Sequence, residues 1–156
     1  MYAYKKLTGL KPNTTYQVIF SLEFASNAPS DSMGVGGSPG SSVYVKIGTV
    51  NKEPQRLVDK ANYYRLILDK GNQIVDGKDM ILIGDVGVDT DDMHYHLKTL
   101  PNKPTADMKE KLKNYQVTSN NRGEVWLIFG TDSGFESTST LYYTHVQATF
   151  HQITLN

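Results

Sequence analysis

The residues best suited to bind a metal ion lie in one acidic stretch, "GDVGVDTDDMHYH". Asp85, Asp89, Asp91 and Asp92 fall within eight residues of one another. Calcium takes about six to eight oxygen ligands, and clustered loop carboxylates with backbone carbonyls supply such ligands. The spacing resembles an EF-hand only at its start, because no glycine or glutamate follows at the required positions. The stretch therefore predicts either a solvated acidic turn or a calcium site formed by Asp89, Asp91 and Asp92.

Tyrosine is the most informative residue type for predicting an organic ligand. The chain has ten tyrosines and one tryptophan. An aromatic ring stacks on the apolar face of a sugar while neighbouring polar side chains bond the hydroxyls. Tyr44, Tyr63, Tyr142 and Tyr143 fall on strand-like segments, opposite or beside expected core positions, and are the candidate carbohydrate-binding residues. The alternative is that all four pack within the sheets, because tyrosine is favoured in strands.

A glycine-rich loop, "GVGGSPG", resembles the pattern that binds a dinucleotide. Gly34, Gly36 and Gly40 are spaced G-x-G-x-x-x-G, but a dinucleotide site needs a helix directly after its glycines. Pro39 interrupts that position and a strand-like segment follows, so we interpret these glycines as turn residues. Ser133, in "TDSGFES", also lacks the G-x-S-x-G context of a nucleophilic serine. We expect a protein that is not an enzyme.

Composition excludes several classes of protein. There is no cysteine, which excludes disulfides and cysteine-bound metals. Sixteen basic and sixteen acidic residues cancel, so no net charge attracts nucleic acid, and no apolar run reaches the roughly 18 residues of a membrane span. The length predicts one domain, 1–156. The opening "MYAYKKLTGL" lacks a signal-peptide core and resembles the end of a strand, so we expect further residues upstream in the natural protein.

Most of the chain alternates between apolar and polar residues, as strands do. In "YQVIFSLEF", residues 16–24, every second residue is apolar, which is typical of a strand with one buried face. Residues 79–84 and 124–130 are apolar on both faces and suit central strands. Only "PTADMKEKLKN", residues 104–114, has helical spacing. Because turn residues separate the strands, we predict an all-β antiparallel β-sandwich of the jelly-roll, galactose-binding-like type with at most one short helix.

Several of these stretches together resemble a known kind of protein. "LTGLKPNTTYQVIFSLEFASNAP", "GVGGSPGSSVYVKIG", "LDKGNQ" and "GEVWLIFGTDSGFESTSTLYYTHVQATF" resemble a family of secreted or lipid-anchored bacterial β-sandwich proteins. More distantly they resemble galactose-binding-like and carbohydrate-binding jelly-roll modules. The resemblance covers nearly the whole chain and implies the fold and export to the exterior or the cell envelope. Thr144 stands where such modules often place an aspartate after the tyrosine pair, so a carboxylate ligand for structural calcium is missing there.

The sequence thus predicts a non-catalytic binding module of an exported bacterial protein. Carbohydrate is the leading ligand, because the ten tyrosines and the tryptophan suit a surface that recognises sugars. The alternative is a structural or adhesion domain of the cell envelope that contacts another protein. The two hypotheses differ in their surfaces. Sugar binding needs two or three exposed aromatic rings with polar side chains between them, whereas a protein contact needs a larger apolar patch or a bare sheet edge.

Overall fold

A computed structural model describes residues 1–154 of the chain and places them in ten strands and one helix. In chain order the elements are β1 (Tyr2–Leu7), β2 (Thr15–Ser26), β3 (Val43–Val50), β4 (Arg56–Val58), β5 (Tyr64–Leu66), β6 (Ile81–Asp85), β7 (His96–Leu100), α1 (Ala106–Asn114), β8 (Gln116–Thr118), β9 (Val125–Ser133) and β10 (Tyr142–Gln152). No helix in this part of the chain is long and apolar enough to cross a membrane.

Two antiparallel sheets form the body of the protein. The first sheet has the strand order β1-β9-β3-β6 and the second has the order β10-β2-β7, with β8 also pairing with β2. The strands β4 and β5 form a separate hairpin. All strand pairs are antiparallel. The prediction of an all-β antiparallel sandwich with one short helix is confirmed.

The core lies between the two sheets and follows the alternation of β2. Phe20, Leu22 and Phe24 of the second sheet are buried, whereas Ile19, directly before Phe20, is exposed. Val45 of the first sheet belongs to the same apolar cluster. Every second side chain of a strand points to the same face, so the alternation read in the sequence directly selects the buried face.

The one helix begins and ends as its sequence predicts. The Thr105 hydroxyl accepts a hydrogen bond from the Met108 backbone N–H and caps the first turn of α1. Tyr115 follows the last turn, and its hydroxyl accepts a hydrogen bond of 2.7 Å from the Thr49 backbone N–H. The same ring lies edge-on to Phe20, 5.0 Å away. Tyr115 therefore joins the helix to both sheets.

One predicted central strand is in fact an edge strand. The segment around β6 is apolar on both faces, yet β6 pairs only with β3 and ends the first sheet. The β3–β6 connection and α1 cover this edge of the sheet in place of a further strand. The Leu82 backbone N–H donates to the Asp76 carboxylate, and Lys111 of α1 pairs with the same carboxylate at 2.9 Å. The prediction was wrong because a hydrophobic run reports burial and not its position within a sheet.

The connection from β3 to β6, residues 51–80, encloses a lysine on the outer face of the first sheet. Lys46 alternates along β3 with the core residues Val45 and Ile47, so its side chain points away from the core. Its side chain is nevertheless completely buried. Lys46 Nζ donates to the backbone carbonyls of Lys70 and Val75, both at 2.6 Å. Since ammonium groups are almost never buried without partners, these two bonds hold the connection against the sheet.

Candidate ligand-binding face

The four tyrosines predicted to bind a ligand lie in three different places. Tyr44 is half-buried on the outer face of β3, and Tyr63 is exposed beside the β4–β5 hairpin, where the Arg65 guanidinium lies over its ring. Tyr142 and Tyr143 begin β10. Among residues 1–154, no aromatic ring contact joins any two of the four. A single platform of these four rings is therefore not formed.

Tyr142 and Tyr143 are neighbours in sequence but point to opposite faces of the second sheet. Tyr143 is paired with Phe24, and its ring lies 6.1 Å from the Phe24 ring and 5.0 Å from that of Phe129. Burial raises the pKa of the Tyr143 phenol. Tyr142 is paired with Ala25 and is 57% exposed. Tyr143 is still 40% exposed, but of the two rings Tyr142 is the one on the outer face.

The partner of Tyr142 is a tyrosine that the sequence analysis missed. Tyr95 precedes β7 and lies edge-on to Tyr142, with ring centroids 5.0 Å apart and an interplanar angle of 75°. It is 44% exposed. The two rings meet because β10 and β7 flank β2, and both Tyr142 and Leu97 are opposite Ala25. The alternation of Tyr95 with Leu97 could have predicted that both side chains lie on one face of a strand. The aspartates before Tyr95 were instead interpreted as a possible metal site.

Polar side chains surround this tyrosine pair on the outer face of the second sheet. Glu23 is opposite Thr99 on one side and His145 on the other, and residues directly opposite each other point to the same face. The Thr144 hydroxyl donates to Glu23 Oε1 at 2.7 Å, and the Thr99 hydroxyl lies 3.5 Å from Glu23 Oε2. We define the binding face by its outward side chains, which are Ser21, Glu23, Tyr95, Leu97, Thr99, Tyr142, His145 and Gln147.

A cavity of about 280 Å³ opens beside the binding face. Tyr95 lines this cavity as well as belonging to the tyrosine pair, so the two are continuous. Val86, Phe135 and Leu141 give the cavity apolar walls, and Asn27 adds a carboxamide. Its full lining is Ser26, Asn27, Ala28, Pro29, Pro39, Val86, Met93, Tyr95, Phe135, Thr138, Ser139, Thr140 and Leu141.

The acidic stretch is largely occupied by hydrogen bonds within the protein. The Asp92 carboxylate contacts His96 Nε2 at 2.8 Å and accepts from the His94 backbone N–H at 3.0 Å. The His96 contact holds the pKa of Asp92 well below its usual range. Within residues 1–154, no group of three or more His, Asp or Glu side chains is placed to hold a metal ion. The calcium site at Asp89, Asp91 and Asp92 stays a prediction.

A second, polar cavity of about 580 Å³ lies next to the acidic stretch. Its lining includes Asp85 and Lys98, which form an ion pair of 2.9 Å. Lys98 Nζ also donates to the Gly87 backbone carbonyl. This ion pair occupies one part of the lining, to which Asp89 and Lys103 add further charged groups.

Side chains of the stretch "TDSGFES" form hydrogen bonds that stabilise the structure around them. The Asp132 carboxylate accepts from Lys70 Nζ at 2.7 Å and from the Gln73 backbone N–H at 2.9 Å. The Ser133 hydroxyl donates to the Phe135 carbonyl and accepts from its N–H. Burial by itself raises the pKa of Asp132, but the bonds from Lys70 and Gln73 outweigh it and leave the pKa lowered. These bonds hold the turn after β9 and the β3–β6 connection together.

Comparison of the chain with protein-family models, with curated proteins and with solved structures finds no significant match. The residues of the binding face and the adjoining cavity are therefore the basis for a functional hypothesis.

Proposed function

We propose that this protein is a non-catalytic carbohydrate-binding module whose ligand lies on the binding face. The observation that carries this proposal is the pair of exposed rings, Tyr95 and Tyr142, 5.0 Å apart. One face of a pyranose presents C–H groups, which pack favourably on an aromatic ring, while its hydroxyls remain free for hydrogen bonds. Two rings at an angle to each other can contact one sugar unit from below and from the side.

The polar groups next to the rings suit sugar hydroxyls. Glu23 offers a carboxylate acceptor whose position is held by the Thr144 hydroxyl. Gln147 and His145 lie on the same face of β10 and add donors and acceptors. Recognition sites combine an apolar contact surface with a few oriented polar groups of this kind. These residues would select the orientation of the sugar, and the rings would supply most of the contact area.

The place of action that fits this proposal is outside the cell. The resemblance described above implies a secreted or lipid-anchored bacterial protein in the exterior or the cell envelope. The absence of cysteine is compatible with that environment, since the fold then needs no defined redox state. Extracellular and envelope polysaccharides are the sugars that such a module would meet.

A second function is favoured by a different surface. The β4–β5 hairpin and the residues around it expose several large apolar side chains, among them Leu57, Val58, Tyr64, Ile67 and Ile74. Exposed apolar clusters of this kind often mark a protein contact. This surface supports the alternative of a structural or adhesion domain that contacts another protein of the envelope.

Binding to a broad glycan panel, measured with the wild-type protein and with matched tyrosine variants, tests the first proposal. We expect at least one reproducible glycan, and we expect Tyr142→Ala and Tyr95→Ala each to weaken its binding about ten-fold or more, equivalent to about 1.4 kcal/mol. Tyr64→Ala removes a still more exposed ring from the hairpin and serves as the control. The panel is run with added calcium and with a chelator, so that loss of binding in chelator would support the metal site at Asp89, Asp91 and Asp92.

Two results would contradict the proposal. A panel without any binding, from a folded sample in both conditions, would favour the protein-contacting alternative. Loss of binding in Tyr63→Ala, with binding retained in Tyr142→Ala, would place the sugar on the hairpin and not on the binding face.

A further inference from the structure

The cavity beside the tyrosine pair has an uncharged lining, and this limits the type of sugar that it can accept. None of its thirteen lining residues carries a formal charge. A carboxylate, phosphate or ammonium group entering it would lose water without gaining an opposite charge, which is costly. The cavity therefore selects for an uncharged part of a ligand.

The walls and the polar groups of this cavity together fit an amide. Val86 is completely buried behind it, and Phe135 and Leu141 are partly buried beside it, which gives a place for a methyl group. Asn27 supplies a carboxamide that can donate from Nδ2 and accept at Oδ1. In residues 1–154 the hydrogen bond of this side chain is a long one, 3.5 Å from Nδ2 to the Met93 carbonyl, so it can reorient to a better partner.

The size of the cavity sets the extent of the bound group. A volume of about 280 Å³ holds roughly nine water molecules at about 30 Å³ each. This is slightly below the usual range for a whole drug-sized ligand, about 300–1,000 Å³. The cavity can accept a substituent together with part of one sugar unit, while the rest of the ligand stays on the rings outside.

We propose that this cavity receives the acetamido group of an N-acetylated amino sugar, with its methyl against the apolar wall and its amide paired with Asn27. The inference depends on the proposed function, because the sugar ring is held by the tyrosine pair. An acetamido group is uncharged, and it combines a methyl, one N–H donor and one carbonyl acceptor. Those are the groups that this cavity can satisfy. A hydroxyl at the same position would leave the apolar wall uncovered, and an ammonium would be stranded without a counter-charge.

Three trisaccharides with the same β-1,4 linkage separate these cases. The wild-type protein is titrated by calorimetry with the trimers of N-acetylglucosamine, of glucosamine and of glucose. We expect the N-acetylated trimer to bind about ten-fold more tightly or better than the glucose trimer, with the glucosamine trimer weakest. Equal affinity for the N-acetylated and glucose trimers, or preference for the glucosamine trimer, would overturn the inference.

Two variants at one position test the role of Asn27. Asn27→Ala removes the carboxamide, and Asn27→Asp keeps its size but replaces the donor with a charge. Both should bring the affinity for the N-acetylated trimer close to that of the glucose trimer, and Asn27→Ala should leave glucose-trimer binding within about two-fold of wild type. Thermal unfolding confirms that each variant is folded. A preference that survives in folded variants would overturn the assignment of Asn27.

The failure of this inference is distinguishable from the failure of the proposed function. If sugars bind and Tyr142→Ala weakens them, but N-acetylation makes no difference, the proposed function stands and the cavity assignment falls. If none of the three trimers binds and the glycan panel is also blank, both fall together.

Discussion

The enclosed lysine of the first sheet offers the most direct test of how the β3–β6 connection is held. Lys46→Met keeps a long unbranched apolar side chain and removes only the ammonium group. The Lys70 carbonyl, 2.6 Å from Lys46 Nζ, then loses its donor, whereas the Val75 carbonyl, also 2.6 Å from Nζ, keeps a hydrogen bond of 3.1 Å from the Asn72 backbone N–H. Methionine cannot replace that donor, because its thioether is only a weak acceptor.

The expected loss of stability follows from those two bonds. Leaving the Lys70 carbonyl without a partner costs about 1–3 kcal/mol, and losing one of the two hydrogen bonds of the Val75 carbonyl costs about 0.5–1.5 kcal/mol. Removing a buried charge recovers part of this, because the ammonium no longer has to be desolvated. We expect a net loss of about 1–3 kcal/mol, which is a substantial part of the roughly 5–15 kcal/mol typical of a whole domain.

Thermal and chemical unfolding measure this effect. At about 2–4 °C per kcal/mol for a domain of this length, the melting temperature of Lys46→Met should fall by about 2–12 °C. Lys5→Met is the matched control, because Lys5 is exposed on β1 and its replacement should change stability by less than about 0.5 kcal/mol. If Lys46→Met melted at the wild-type temperature, the two hydrogen bonds would not be what holds the connection.

Two further predictions concern other polar groups. Tyr115→Phe leaves the Thr49 N–H without its acceptor and should lower the free energy of unfolding by about 1–3 kcal/mol, and an unchanged denaturation midpoint would contradict this. Asp132 has a pKa below its ordinary value of 3.8 in the folded protein, so its stabilising effect is complete above that value and is lost as the pH falls through the lower, folded pKa. The difference in stability between wild type and Asp132→Asn should therefore shrink between pH 5 and the acid limit of folding. Asp31→Asn, at an exposed position, is the control for removing one negative charge.

The sequence was sufficient for the features that depend on local periodicity and local capping. The alternation of residues 16–24 predicts both the strand β2 and its buried face, because a strand presents every second side chain to one side. Thr105 and the helical spacing of the apolar residues that follow it predict the helix. The exclusion of disulfides, a strong net charge and long apolar runs also needs no structure.

The features that depend on neighbouring strands could not be predicted. Alternation alone puts the predicted ligand residues Tyr142 and Tyr143 on opposite faces, but only the pairing of Tyr143 with Phe24 shows that Tyr143 is the one that faces the core. The doubly apolar β6 was expected at the centre of a sheet, and it lies at the edge under cover from the connection and the helix. A local pattern says that a side chain is buried or exposed, and it does not say what lies next to it.

The candidate site shows the same division. The sequence by itself determined that this chain is rich in tyrosine, uncharged overall and built of amphipathic strands. Only the tertiary structure decided that Tyr95 and Tyr142, far apart in the chain, become neighbours, because β7 and β10 pair with opposite edges of β2. The order of strands in a sheet is set by packing of the whole core, which no single stretch of sequence contains.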